Sequence, residues 1–566
     1  MAIRKIGLVS RTYRHINRYR QILTVLIKYG FGNLVDLLRI NQYLEIGLQL
    51  ISREHREQVE TLSPAERVRM AIEELGPTFI KLGQVLSTRP DLVPPSLAAE
   101  LTRLQQEVPP FAFEKVRAIV EEELGRPLDS IFERFDQQSI AAASIGQVHR
   151  ARLRGGDEVV VKVQRPDIQA VIEVDLEILL HLAMLVEKHV EDWRIYRPSR
   201  IVEEFSRVLE RELDFTTEAT HLERFAREFL DDDTIYVPKV YRPFTTRRVL
   251  TLEYVDVIPV TDPAALRAAG LDPRVLAARG AELTLKQIFA HGFFHADPHP
   301  GNVFALPGNV VCMLDFGMMG RLDRRSREVF ADLLYAVAGR DSAAATTALL
   351  RLTAHDEDVD PDVRRLEADV AEFIDLNITP VLGDLSFGKL LMDLLDLVRR
   401  HRLTIPPDLV MMMKAGATAE RLVARLDPEL DIFAAARPYV RKLKVDRLRP
   451  RRLLRDAVEV GGELLHLARE IPGGVRDLLR LARRGNLTIG FEHRGLAGLL
   501  DTLDRVANRV SFAIVLAALI VGSSLIVHSR IPPAWHGIPV IGLIGFLTAG
   551  AIGFVLLISM IRHGRL

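Results

Sequence analysis

Two short polar blocks limit what this chain can fold into more than any other feature. They are "HADPHPGN" at 295–302 and "LDFG" at 314–317. His295 and His299 have the i, i+4 spacing that puts two metal ligands on one face of a helix. Pro298 and Pro300 remove that helix, because a ring nitrogen donates no hydrogen bond and clashes with the preceding turn. The histidines are therefore read as loop-shaping residues. What remains is Asp297, then Asn302 five residues on, then Asp315 beyond two short apolar runs. That order suits a phosphoryl-transfer site. One aspartate positions or deprotonates the acceptor, while the asparagine and a second aspartate hold Mg²⁺.

A site of this type also needs a lysine on a strand, reaching the α- and β-phosphates, and a helical glutamate to hold it. "EVVVKVQ" supplies Lys162 inside an apolar strand-like run. The helical segments that follow offer Glu173, Glu203, Glu204, Glu210, Glu212 and Glu218, and spacing does not choose among them. The Gly-rich lid of ordinary kinases is missing. Its place is taken by Ala141, Ala142, Ala143 and Ser144, which cannot freely adopt positive φ. The lid is expected to have a different shape and different backbone contacts to phosphate.

The 566 residues are too many for one hydrophobic core, so several domains are expected. Lysine plus arginine equals aspartate plus glutamate, at 75 each, so only local charge clusters can indicate partners. The single cysteine, Cys312, excludes an intramolecular disulfide and lies in an apolar run as a small hydrophobe. Residues 1–115 read as helices. "SPAERVRMAIEEL" carries serine, proline and glutamate where a helix start wants them. The first 28 residues are basic without an acid and do not read as a secretory signal. They suit either a membrane-surface helix or a packed one. Residues 148–166 read as a hairpin turning at "RGGD", and 236–257 as two more strands. Helical spacing runs from Ile168 to about Leu230, and again over 325–430. The segment between "HADPHPGN" and "LDFG" reads as strand, turn, strand.

Near the C-terminus two apolar runs, 511–529 and 538–561, each approach the ~20 residues needed to cross a bilayer. Gly545, Ala549 and Gly553 put small residues on one face of the second. Arg505, Arg509, Arg562 and Arg565 flank the pair, against Arg530 alone in the turn, which points both ends to the cytoplasm. The basic stretch 437–456 is placed to sit on anionic lipid.

At these residues the chain resembles the UbiB (AarF, coenzyme Q kinase-like) family of atypical kinases. The resemblance covers most of the chain. It rests on "KLGQVLSTRPDLVP" (81–94), "AAASIGQVHRARL" (141–153), "VVVKVQRP" (159–166), "ERELDFTTEA" (210–219), "HADPHPGN" and "LDFGM". It implies that Glu218 holds Lys162. It also implies that Lys81 and Gln84 lie on an extension folded over the nucleotide site, that Glu212 and Asp214 form a Glu-x-Asp signature with Glu212 pairing Lys81, and that Glu253 and Val255 belong to the hinge meeting adenine. Asp297 would be the catalytic-loop aspartate, with Asn302 and Asp315 as Mg²⁺ ligands. One departure is Gly146, where alanine is expected and which reads as added flexibility.

The expected fold is α+β, a bilobal protein-kinase-like fold with an N-terminal helical extension and a C-terminal two-helix transmembrane hairpin. Its divisions are an extension (1–115), N-lobe (116–257), C-lobe (258–430), basic amphipathic linker (431–508) and hairpin (509–563). The resemblance implies an ATP- and Mg²⁺-dependent ATPase supporting isoprenoid quinone biosynthesis at the cytoplasmic side of the inner membrane. Membrane lipids, quinone precursors and quinone-biosynthesis enzymes are its expected partners, and no nucleic acid is expected. The alternatives are a non-catalytic lipid-binding scaffold and a small-molecule phosphotransferase.

Overall fold

The structure, a computed structural model, describes residues 8–32, 61–87, 93–104, 109–190, 197–354, 361–377, 387–447, 496–529, 532–535 and 538–562. The chain separates into two units, 1–455 and 456–566.

In the first unit the hairpin at "RGGD" is a strand pair, and alternation explains what it does. In β3 (Glu158–Gln164), Val159, Val161 and Val163 are fully buried. A strand sends successive side chains to opposite faces. These three valines pack with Val116, Ile119 and Val120 of a helix, Phe113–Leu124, which puts Lys162 on the other face. The sheet is antiparallel in the order β1-β2-β3-β5, with β1 Phe132–Ala142, β2 Gly146–Leu153 and β5 Val249–Glu253. β1 went unread in the sequence, because its polar "FERFDQQS" has no clean alternation. Its register with β2 shifts three times.

Under the open face of the sheet runs α-helix Phe215–Glu228, whose Phe215, Ala219, Leu222 and Phe225 share a core with Leu250, Leu252, Val311, Met313 and Phe316. That core joins the first sheet to a second one of order β4-β9-β8-β6, with β4 Ile235–Tyr236 and β6 Ile258–Pro259, so the fold is α+β and kinase-like. Strands β8 (Val303–Leu306) and β9 (Val310–Met313) stand between the two polar blocks, as expected. β7 (Phe293–His295) and β10 (Met319–Arg321) pair at the outer ends of the blocks and clamp them together. Cys312 on β9 is fully buried, and burial pushes its thiol up to about 12, which removes it as a nucleophile.

The extension packs on this body as helices. Pro64–Leu75 begins with a capping box between Ser63 and Glu66. Pro77–Ser87 follows and approaches residues 95–104 so closely that a Cβ on Gly83 would press into Leu104 and Leu101. The basic helix Leu8–Lys28 is a packed helix over its described side chains. Ile22 and Val25 are buried with Ile72, Leu75 and Ile178, and Arg18 pairs at 2.6 Å with the buried Asp175. Helices Arg324–Ala338, Ser342–Leu352, Val363–Asn377, Phe387–Arg400 and Pro407–Leu426 build a second core. Of the basic stretch 437–456, residues 437–447 continue helix Ile432–Arg447, and 448–456 lie outside the described residues.

The second unit holds helices Leu496–His528 and Val540–Arg562. Gly545, Ala549 and Gly553 form the packing face, as expected. A Cβ on Gly545 would strike Ser523, Ala549 is buried, and Gly553 lies against Leu516. Phe512, Val515, Leu525, Leu547 and Phe554 point outward. Among the described residues one helix, Val510–His528, is long and apolar enough to cross a membrane, with mean hydropathy 2.6. Val540–Phe554 is apolar but shorter. The two spanning helices expected are therefore one by that measure. Arg530 and Arg565 lie outside the described residues.

Candidate active site

Lys162 enters from β3 and Glu218 from the first turn of Phe215–Glu228. Nζ and Oε2 are 2.8 Å apart. The helix start is fixed by Asp214, whose carboxylate accepts from the Thr216 backbone N–H and hydroxyl. That cap sets the turn on which Glu218 sits. Gln164, at the end of β3, donates to the Leu213 carbonyl at 2.9 Å and ties the strand to the same turn. Of the six glutamates left open by spacing, Glu218 is the one the fold brings to Lys162.

A second pair lies beside the first. Lys81 donates to Glu212 at 2.8 Å, and the Glu212 side chain is only 8% exposed. Glu212 Oε2 is buried with no hydrogen-bond partner among the described residues. A buried polar atom without a partner is costly, so this oxygen is free to take a ligand or water.

Asp315 faces both lysines. Burial works against its ionisation, but Lys162, the Gly317 N–H and Lys81 together pull its carboxyl down to about 2. Burial also works against the Lys162 ammonium, and Glu218 and Asp315 outweigh it, holding the group above its usual range. The same balance, with Glu212 foremost among the carboxylates, raises Lys81. Phe316 is fully buried against Phe225, and His221 Nδ1 donates to the Phe316 carbonyl at 3.0 Å. Glu218 and His221, one turn apart, thus anchor the lysine and the Asp-Phe-Gly segment from one helix face.

The histidines of the opening block shape the loop. His295 Nε2 donates to the Asp315 carbonyl at 2.6 Å, and its Nδ1 accepts from the Asp297 N–H at 3.1 Å. Those two bonds fix the neutral tautomer, and burial lowers the ring's pKa in the same sense. His299 Nδ1 accepts from the Gly301 N–H. Asn302 Nδ2 donates to the Asp297 carbonyl, which closes the loop.

Ala141 and Ala142 end β1, and Ala143 and Ser144 make the tip of the β1–β2 hairpin. Gly146 corrects the expectation of flexibility. It is a buried strand residue paired with Gln164, and an added Cβ would stand 2.6 Å from the Val163 carbonyl oxygen. The glycine allows a close strand approach. Glu253 ends β5 with its carboxylate held by the Tyr236 hydroxyl and the Lys239 N–H, and Val255 follows, half-buried. Gln84 lies three residues beyond Lys81 on the same helix, half-buried, with its carbonyl accepting from Ser87. Asp214 serves the helix cap and makes no described bond to Lys81.

No cluster of three or more metal-ligating His, Cys, Asp or Glu occurs among the described residues. Mg²⁺ takes one or two protein oxygens and completes its shell with phosphate and water. Asp315, kept ionised, and Asn302 fit that demand.

One charged group went unread in the sequence. Lys414 of helix Pro407–Leu426 stands 3.8 Å from Asp297. Its signal was a lone lysine in the apolar run "LVMMMKAGA", the same anomaly that marked Lys162.

A strand lysine paired to a helical glutamate, an Asp-Phe-Gly segment beside it and an Asp–Asn loop tied to that segment through His295 define a protein of the kinase-like class. The ABC1 atypical kinase-like domain model matches residues 103–349, the UbiB helical domain model 370–431, and the ABC1/UbiB kinase-like C-terminal domain model 494–562. "Probable protein kinase UbiB" of Xanthomonas campestris pv. campestris (strain B100) is 34% identical over 97% of this chain and 100% of its own length. A protein of Clostridium pasteurianum, "Uncharacterized protein in hydrogenase 1 5'region", is 33% identical over 97% of this chain and 100% of its own. The "Probable protein kinase UbiB" of Pseudomonas putida (strain F1) is 36% identical over 82% and 86%. A solved structure, a Mycobacterium tuberculosis Rv3197–erythromycin complex, covers 66% of this chain and 95% of that one at 20% identity. Its TM-score is 0.46, too distant to add to the assignment. The chain belongs to the UbiB family of atypical kinases.

Proposed function

We propose that this protein binds Mg–ATP, hydrolyses it at a membrane surface and supports isoprenoid quinone biosynthesis. The observation that carries the reading is the convergence of two buried ion pairs, Lys162–Glu218 and Lys81–Glu212, on the ionised Asp315. In this reading Lys162 holds the α- and β-phosphates, and Glu218 fixes its ammonium. Asp315 and Asn302 hold Mg²⁺, which when bound neutralises charge on the phosphates. The Glu253 carbonyl and Val255 N–H meet adenine. Ala141 to Ser144 cover the phosphates with a tighter lid than glycines would make. Asp297 orients the acceptor. Lys81 and Gln84 cover that side, which excludes a peptide and leaves water or a small lipid as acceptor.

Helices Leu496–His528 and Val540–Arg562 anchor the chain as a hairpin in the inner membrane, with the kinase-like part on the cytoplasmic side. The outward apolar side chains of the pair support this. Residues 437–456 rest on anionic lipid, and quinone precursors and their enzymes are the partners. The divisions at 115, 257, 430 and 508 belong to the same reading.

The test is quinone profiling of a deletion strain complemented with wild type, Lys162→Met or Asp315→Asn. Wild type restores quinone and neither variant does. Restoration by both variants would favour a non-catalytic lipid scaffold, and a labelled small molecule formed from labelled ATP in extracts would favour a phosphotransferase.

A further inference from the structure

The block from Asp297 to Asn302 contains no lysine or arginine, so no cation beside the acceptor aspartate comes from its own loop. Lys162 and Lys81 both face Asp315 and their glutamates, on the nucleotide side. The cation beside Asp297 comes from elsewhere in the fold. Lys414 stands on helix Pro407–Leu426 with Nζ 3.8 Å from Asp297 Oδ1, at 18% side-chain exposure.

That helix lies within residues 370–431, matched by the UbiB helical domain and outside the 103–349 of the kinase-like match. It is held in place independently of the pair. Val410, Met412 and Met413 belong to the helical core, Val423 packs with Ala277 and Ala281, and Leu422 reaches the core that holds Phe316. The Lys414 ammonium is largely buried, and an ion so placed is costly unless paired. Burial lowers the Lys414 pKa, Asp297 opposes that shift, and Arg421, two turns further along, adds to it. Asp297 acts on Lys414 as the opposite charge and Arg421 as a like one.

We propose that Lys414 is a positioning residue for phosphoryl transfer. It holds the Asp297 carboxylate towards the acceptor, so that a helix outside the kinase-like domain completes the site. The inference rests on the ATP-hydrolysing reading above. A cation fixed beside the acceptor aspartate acts on the chemical step and not on nucleotide affinity.

The experiment measures ATP hydrolysis and nucleotide binding by full-length protein in anionic liposomes. The variants are Lys414→Met, Lys414→Arg, Asp297→Asn, Asp297→Asn with Lys414→Met, and Asp315→Asn. Lys414→Met is expected to lower kcat by about 10- to 100-fold, below the full range of a lost acid–base group, with KM for ATP within about twofold. Lys414→Arg restores most of the rate. The double variant is no slower than Asp297→Asn alone by more than about twofold, because the two residues act as one unit. If Lys414→Met does not fold, Lys414→Gln, of similar length and uncharged, is read in its place. Lys414 variants at wild-type rate while Asp297→Asn and Asp315→Asn are impaired overturn this inference and leave the ATPase reading standing. Losses that multiply in the double variant overturn it too. A wild-type protein that hydrolyses no ATP overturns both.

Discussion

Lys162 and Glu218 meet at 2.8 Å across 56 residues of sequence, and neither side chain is more than a quarter exposed. Removing one partner strands the other as a buried charge. Lys162→Met should therefore destabilise the protein by about 3–5 kcal/mol, and Lys162→Met with Glu218→Gln by much less. Urea unfolding of the three proteins checks this. Both variants should still lose ATP hydrolysis by about 100-fold or more, because packing can be restored without the charge.

Lys81 and Glu212 predict a different pattern. Glu212 already has one oxygen without a partner. Lys81→Met should cost about 3 kcal/mol or more, because it leaves the buried Glu212 carboxylate with no cation paired to it, whereas Glu212→Gln should cost less, because Asp315 still acts on the Lys81 ammonium. A double-mutant cycle followed by thermal melting measures the coupling. Equal costs for the two single variants would contradict it.

The Asp315 carboxyl gives the pH dependence. Its folded pKa of about 2 lies below the ordinary 3.8, so it contributes stability above the ordinary value. That contribution is lost as pH falls through the folded pKa. The shift corresponds to about 2 kcal/mol. Without Mg²⁺, the stability difference between wild type and Asp315→Asn should be flat from pH 5 to neutrality, shrink below about pH 4, and vanish only below about pH 2. Lys162 runs the other way. Its raised pKa contributes stability below the ordinary 10.5, lost only as pH rises through the higher folded value.

Gly146→Ala tests the close approach of β2 to β3. The new Cβ would meet the Val163 carbonyl oxygen, a backbone atom that cannot swing aside. The expected cost is about 1–3 kcal/mol. Gly83→Ala meets flexible leucine side chains instead and should cost less. A flexibility role for Gly146 would predict little change in melting temperature and a slower lid.

The residues that sequence reading found share one trait. Each is a charge or a proline–glycine break set in an apolar, periodic background, as Lys162 is in "VVVKV". β1 escaped because its polar residues have no alternation, and β7 and β10 because three-residue strands leave no period to detect. Glu218 could be separated from five other glutamates by the family resemblance but not by spacing. The deciding information is the Asp214 cap, a local turn that sets which face of the helix meets β3. Lys414 carried the Lys162 signal, yet its partner lies more than a hundred residues upstream, and only the packing of the helical core on the kinase-like part brings them together.

Whether the paired lysines and the ionised Asp315 form a working Mg–ATP site is decided by the chemistry they support. The most direct measurement is ATP hydrolysis by full-length protein in anionic liposomes, with and without a Mg²⁺ chelator, for wild type and Asp315→Asn. Wild type should hydrolyse ATP until the chelator abolishes it, and Asp315→Asn should lose about 100-fold or more. Equal activity in Asp315→Asn, or no hydrolysis by folded wild type, would contradict it.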